Sequence, residues 1–377
     1  VNNDFPQLSL DHLDRMTDST GLIQHAIYSV PRRESGYTID DNARALQLCV
    51  CLWHRKPDAE LLRRLTIYLS LLEYSRRPGG GFHNLMTYQR QWLDTDASGD
   101  CQGQAVRALA EVLGSSLAED YRLLSRELIA ATLPTLAGLR SLRAQAYIII
   151  GCGRLWSREV EDIADLEAVA LLAARNLIEC YQRSNRTNWH WFESRMTYAN
   201  AVLPHALFIA AGRWPREGFL DIASESFAFL ESQTTRAGVF WPVGNNGWYP
   251  HGEENAEYDQ QPVEAVTMAD AALAAFYITG ERRYLAIVRM ANAWFAGQNS
   301  RLLAVADETS GACCDGLQLG GVNRNKGAES TLAYLCTRVL AWEADREQAL
   351  AAADRPPGTN ISPRTCEPAP THIRSRP

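Results

Sequence analysis

The run VEAVTMADAALAAFYITG, Val263–Gly280, is long enough for five helical turns and carries charge only at Glu264 and Asp270. A helix with no polar face has to be buried on every side. Five more segments share this character: DNARALQLCVCLW from Asp41, GQAVRALAEVLG from Gly103, LRAQAYIIIGCG from Leu142, ANAVLPHALFIAAG from Ala199 and AESTLAYLCTRVLAW from Ala328. Polar landmarks near their starts, Asp41, Gln102, Arg143, Asn200, Glu264 and Glu329, are 41 to 65 residues apart, a loose internal repeat. Glycines 114, 153, 212 and 280 stand where such helices are expected to stop.

Between the buried segments lie helices with one charged face: Ala59–Arg76, Leu117–Leu133, Asp165–Arg183, Gly218–Gln233 and Arg282–Gln298. Short stretches rich in Gly and aromatics follow them, such as NRTNWHWFES and TRAGVFWPVGNNGWYP. The recurring unit is an outer helix, a loop or short hairpin, and a buried inner helix. Six such units predict an all-α fold, an (α/α)6 barrel, in which six parallel inner helices are wrapped by an outer ring. Small side chains on the inner helices permit close approach. The loops before the inner helices are expected to gather at one mouth. One domain, residues 1–354, accounts for the pattern, and the Pro-rich tail 355–377 lacks periodicity and falls outside the fold.

Composition narrows the functions. Of the 377 residues, 46% are hydrophobic, and the net charge of −7 comes without a basic stripe, so nucleic acid is not an expected partner. No apolar run reaches membrane-spanning length. The nine cysteines show no zinc-like spacing and sit mostly in apolar segments, as free thiols in a reducing cytoplasm would. Cys313-Cys314 reads as loop packing. There is no GxSxG, HExxH, P-loop or dinucleotide-binding fingerprint, so neither a metal nor an organic cofactor is expected.

The mouth loops hold carboxylates beside aromatics, a combination that suits sugars: C–H faces stack on rings, and hydroxyls need charged or amide partners. Cleaving a glycosidic bond takes two carboxyl groups, one protonated and one ionised. In GYTIDDNARAL, Gly36–Leu46, Asp40 and Asp41 are adjacent. Thr38 and Asp41 have the spacing of a capping box, but a cap needs only one carboxylate. Repulsion in a low-dielectric funnel would raise one pKa and leave the other group ionised. Glu193, among Trp189, His190, Trp191 and Phe192, is the second candidate acid, with an ion pair to Arg195 or Arg186 as its structural alternative. Glu264 and Glu329 open inner helices, as caps or as partners of sugar hydroxyls. Tyr37, Trp189, Trp191 and Trp241 are candidate stacking platforms; Arg143, His251 and Gln261 are candidate polar contacts.

The segment YTIDDNARALQL resembles the Asp-Asp-Asn-Ala segment that opens an inner helix in the (α/α)6-barrel endo-α-1,6-mannanases. That resemblance implies that Asp40 and Asp41 are the nucleophile and the acid/base. It covers about a dozen residues and departs at Arg44, where that family tends to have an aromatic. The expected function is therefore a cofactor-free glycoside hydrolase acting on a mannose- or glucose-containing oligosaccharide or glycan. The alternatives are a sugar epimerase or isomerase using His190, His205 or His251 as base, and a non-catalytic glycan-binding domain of a longer glycan-synthesis protein.

Overall fold

The computed structural model describes residues 5, 7–95 and 98–353; the Pro-rich tail 355–377 expected outside the fold lies outside the described residues. In chain order the helices are α1 (Asp11–Met16), α2 (Ile39–Trp53), α3 (Ala59–Tyr74), α4 (Gly99–Leu113), α5 (Glu119–Leu136) and α6 (Leu142–Ser157). There follow α7 (Ala164–Ser184), α8 (Val202–Arg213), α9 (Phe219–Thr234), α10 (Pro262–Thr279), α11 (Arg283–Phe295) and α12 (Ala328–Ala353). The even-numbered helices are the six apolar segments of the sequence. Each packs on the next, and α12 returns to α2 to close the ring. The odd-numbered helices lie outside it, α3 against α2, α5 against α4, and so on.

The sixth outer position is the exception to the repeat. It falls to α1, only 6 residues long, which packs on α12. Among the described residues no longer helix precedes α2, so the described outer ring is thin there.

Small residues set the spacing of the inner ring. A Cβ on Gly103 of α4 would lie 2.6 Å from the Ala144 carbonyl oxygen of α6, so these two backbones touch. In α10, Ala265, Ala269, Ala271, Ala272 and Ala275 are wholly buried. Gly114 and Gly280 cap α4 and α10 as expected, Gly280 with φ 74°. Gly153 and Gly212 do not stop helices but lie inside α6 and α8. They make room for neighbours: a Cβ on Gly153 would collide with Ile209, and one on Gly212 would lie 2.8 Å from Ile278 Cδ1.

Short antiparallel pairings knit the mouth loops together. Tyr37-Thr38 pairs with Leu85-Met86, joining the loops before α2 and α4. Arg195-Met196 pairs with Tyr249-Pro250, joining those before α8 and α10, and Gln260 bridges to Leu317 ahead of α12. Among the described residues, every cysteine is free and no helix is long and apolar enough to cross a membrane.

Candidate active site

At the N-terminus of α2, Thr38 caps the helix: its hydroxyl oxygen accepts from Asp41 N at 3.3 Å and donates to Asp41 Oδ2 at 2.6 Å. The capping reading of TIDD is thus correct for Asp41. Asp40 is not needed for it. Its amide donates to Asn84 Oδ1 at 3.1 Å, and its Oδ1 is buried without a partner. Asn42 completes the turn, donating to the Thr38 and Leu22 carbonyls and accepting from Leu22 N. The side chains of Asp40 and Asp41 are 24% and 7% exposed.

Arg44, one turn into α2, points back at both aspartates. Its Nη1 is 3.1 Å from Asp40 Oδ2, 3.4 Å from Asp41 Oδ1 and 2.7 Å from Glu329 Oε2 at the start of α12. The three carboxylates each place an oxygen within 4.8 Å of the others, a spacing a metal ion tolerates. Here the guanidinium lies among them and supplies the positive charge itself. Burial pushes Asp40 up to about 7 and Asp41 up to about 6, Arg44 pulls both down, and the neighbouring carboxylates push them up again. Both carboxyls are thus held above the usual carboxylate range.

The pair faces a cavity of about 380 Å³ in the mouth. Gln261, Glu329, Asp259 and Asp315 line it, with the amides of Gln24, Asn84, Asn245, Gln318 and Asn323 and the ring of His25. Asp315 is anchored by Gly327 N and Ser330 Oγ. Carboxylates and amides around a concave space can accept from and donate to many hydroxyls at once. A smaller cavity continues down the barrel axis beneath Arg44 and Glu329, lined by Gln47, Gln104, Arg107, Tyr147 and Asp270.

The structure brings Asp40, Asp41, Gln261 and Glu329 together and places the other expected residues elsewhere. Glu193 is the counter-ion of buried Arg143, 3.1 Å away, and lies in a separate depression with His251 and Trp189. Trp189 and Trp191 are core residues, 1% and 0% exposed, with no ring face to offer a sugar. His251 packs on Trp189, centroids 5.1 Å apart. Tyr37 is buried, its hydroxyl donating to Asp18. Trp241 lies under the Arg236 guanidinium. Glu264 is buried and caps the loop into α8, accepting from Ala199 N, Asn200 N and Asn200 Nδ2; burial still pushes it up to about 7. Arg143 spends its donors on Glu193, Thr197 and the Tyr198 carbonyl.

No family model and no curated protein sequence matches the chain. Solved structures do. Cellobiose 2-epimerase from Bacillus thermoamylovorans superposes with a TM-score of 0.69 at 12% identity, over 90% of this chain and 96% of that one. A GH76 α-mannanase from Bacteroides thetaiotaomicron gives 0.62 at 11% identity, over 90% and 93%. An inactive variant of the GH76 α-1,6-mannanase of Salegentibacter sp., with two adjacent aspartates replaced by asparagine and α-1,6-mannotriose bound, gives 0.58 at 12% identity, over 89% and 96%. The fold is the (α/α)6 barrel. It is shared by hydrolases and epimerases alike, so the reaction has to be argued from the site.

Proposed function

We propose that the protein is a glycoside hydrolase acting on a mannose- or glucose-containing glycan through Asp40 and Asp41. The observation that carries this reading is the pair itself. Two adjacent carboxylates face a polar cavity, one tied down by the Thr38 hydroxyl, the other with an unpartnered oxygen, and both are raised toward neutrality. Near pH 6–7 such a pair holds one proton between two groups, which is the protonation state glycosidic cleavage requires. The likeness to a mannanase whose variant lacking two adjacent aspartates is inactive supports it.

In the proposed reaction the ionised carboxylate attacks the anomeric carbon while its protonated neighbour donates to the departing glycosidic oxygen. A covalent glycosyl-enzyme forms, and the first sugar fragment leaves as an alcohol. Water then adds at the anomeric carbon, giving its proton to the second carboxylate as the ester bond breaks. The retaining route uses carboxyl groups about 5–5.5 Å apart, and Asp40 and Asp41 each place an oxygen within 4.8 Å of the other. Arg44 keeps the negative charge of three carboxylates tolerable in a buried site.

The epimerase alternative loses the histidines it named. His205 is buried on the barrel axis beside Asp270 and pushed down to about 4, His190 contacts Asn185 and Glu225, and His251 covers Trp189. His25 lines the cavity as a single imidazole. Asp40→Asn and Asp41→Asn, assayed on α-1,6-linked manno- and gluco-oligosaccharides, test the reading. Each is expected to lose at least about 100-fold in kcat while still folding, and azide should restore turnover in the variant lacking the nucleophile. Full activity in either removes that residue from the mechanism.

A further inference from the structure

We propose that Tyr198 and Trp248 form a second sugar subsite on the mouth, away from the aspartate pair, which binds a neutral hexose unit of a longer oligosaccharide. Tyr198, in the loop before α8, is 41% exposed yet fixed through its hydroxyl and its carbonyl. Its hydroxyl donates to Asp100 Oδ2 at 2.6 Å, its carbonyl accepts from Arg143 Nε at 2.6 Å, and the Arg143 guanidinium lies 4.6 Å from its ring centroid. One face of the ring is backed by that cation. Trp248, half-buried in the loop before α10, stands 6.3 Å from Tyr198 between centroids, at 51°. Rings that close leave no slot between them, so they form an open step on which a sugar lies.

The backbone is held in an unusual form to present this step. Trp248 has φ 61° and Ala199, next to Tyr198, has φ 45°. The left-handed region is costly for residues with a Cβ, and it concentrates where function over-determines the conformation. Trp248 is kept there by its amide donating to the Gly244 carbonyl and its carbonyl accepting from Ala256 N. The same loop contributes Asn245 and Asp259 to the aspartate cavity, which neither Tyr198 nor Trp248 lines. Step and cavity are thus neighbours on one loop without being one site.

The chemistry of the step selects the ligand. Two aromatic surfaces suit the C–H face of a pyranose. Arg143, the cation beneath, is 4% exposed and bonded to protein acceptors through Nε, Nη1 and Nη2, so it is not presented to a carboxylate or phosphate substituent. The ligand unit is therefore uncharged. A glycan bonded across Asp40 and Asp41 that also reaches the step gains contacts a shorter one lacks, so the subsite makes binding depend on chain length. This rests on the glycan-hydrolase reading only for the location of the bond broken; the step binds sugar whether or not cleavage occurs.

The test is a titration of α-1,6-linked manno-oligosaccharides of two to six units, followed by calorimetry, with Trp248→Ala and Trp248→Phe introduced into the Asp40→Asn protein. The alanine variant is expected to bind the hexasaccharide about tenfold more weakly and the disaccharide within about twofold of its parent; phenylalanine should restore most of the loss. Length-dependent binding without hydrolysis by the unsubstituted protein would sink the hydrolase reading and leave the subsite standing. Equal loss at both lengths, no loss at either, or no binding of any oligosaccharide to the parent overturns the subsite.

Discussion

Replacing Arg44 by Gln removes the positive charge that touches Asp40, Asp41 and Glu329 together. Unit charges about 4 Å apart attract by about 4 kcal/mol at an effective dielectric constant near 20, which is about 3 pKa units. That is a ceiling, because Gln keeps some hydrogen bonding and Arg44 is 17% exposed. A rise of about 1 to 2 units in both aspartates is expected. The assay is the pH dependence of kcat/KM: both limbs of the bell, placed by values of about 6 and 7 in the parent, should move up together. Stability should follow the same groups. Their folded pKa values lie above the unfolded ones, so the stability they contribute is complete below pH 4 and is lost as pH rises through the folded values. The variant raises those values further, so its deficit opens between about pH 6 and 9, reaching about 2 to 4 kcal/mol in a denaturant titration at pH 8.5. A profile that stays put, or a deficit larger at pH 5 than at pH 8.5, would refute the role given to Arg44.

Three further outcomes follow from the geometry. Glu264 is raised from 4.5 to about 7, so the parent should lose up to about 3 kcal/mol of stability between pH 4.5 and 8; in Glu264→Gln chemical denaturation should show that slope removed. Gly103→Ala, whose Cβ meets the Ala144 backbone at 2.6 to 3.0 Å, should destabilise by about 1 to 3 kcal/mol in the same experiment, whereas Gly79→Ala, with open space around it, should cost little. Thr38→Val removes both the cap and the hydroxyl bond to Asp41, and should lower thermal stability by about 0.5 to 2 kcal/mol while shifting the acid limb of the activity profile upward.

The barrel was legible because its inner helices lack a polar face, and that property has one physical explanation. The helix boundaries suffered where glycine was read as punctuation: Gly153 and Gly212 resolve a packing contact between helices, which composition along one chain does not reveal. The adjacency of Asp40 and Asp41 and the Thr38 cap were legible in TIDD. What surrounds it was not. Asp259 and Asp315 lie in loops with no motif, and reach the cavity only because the bridge between Gln260 and Leu317 draws those loops together. The aromatics show the limit most sharply. Trp189 and Trp191 look like platforms in NWHWF but fill the core, whereas Tyr198 and Trp248, no more conspicuous in sequence, stand at the mouth. An indole is apolar enough for either place, and tertiary packing alone decides.

The central claim is that Asp40 and Asp41 act as a close retaining pair. Proton NMR of the first product released from an α-1,6-linked mannose or glucose oligosaccharide, recorded before mutarotation, tests it directly. A new reducing end that appears first as the α anomer is the expected result. The β anomer appearing first, or interconversion of a free sugar with no bond cleaved, would contradict it.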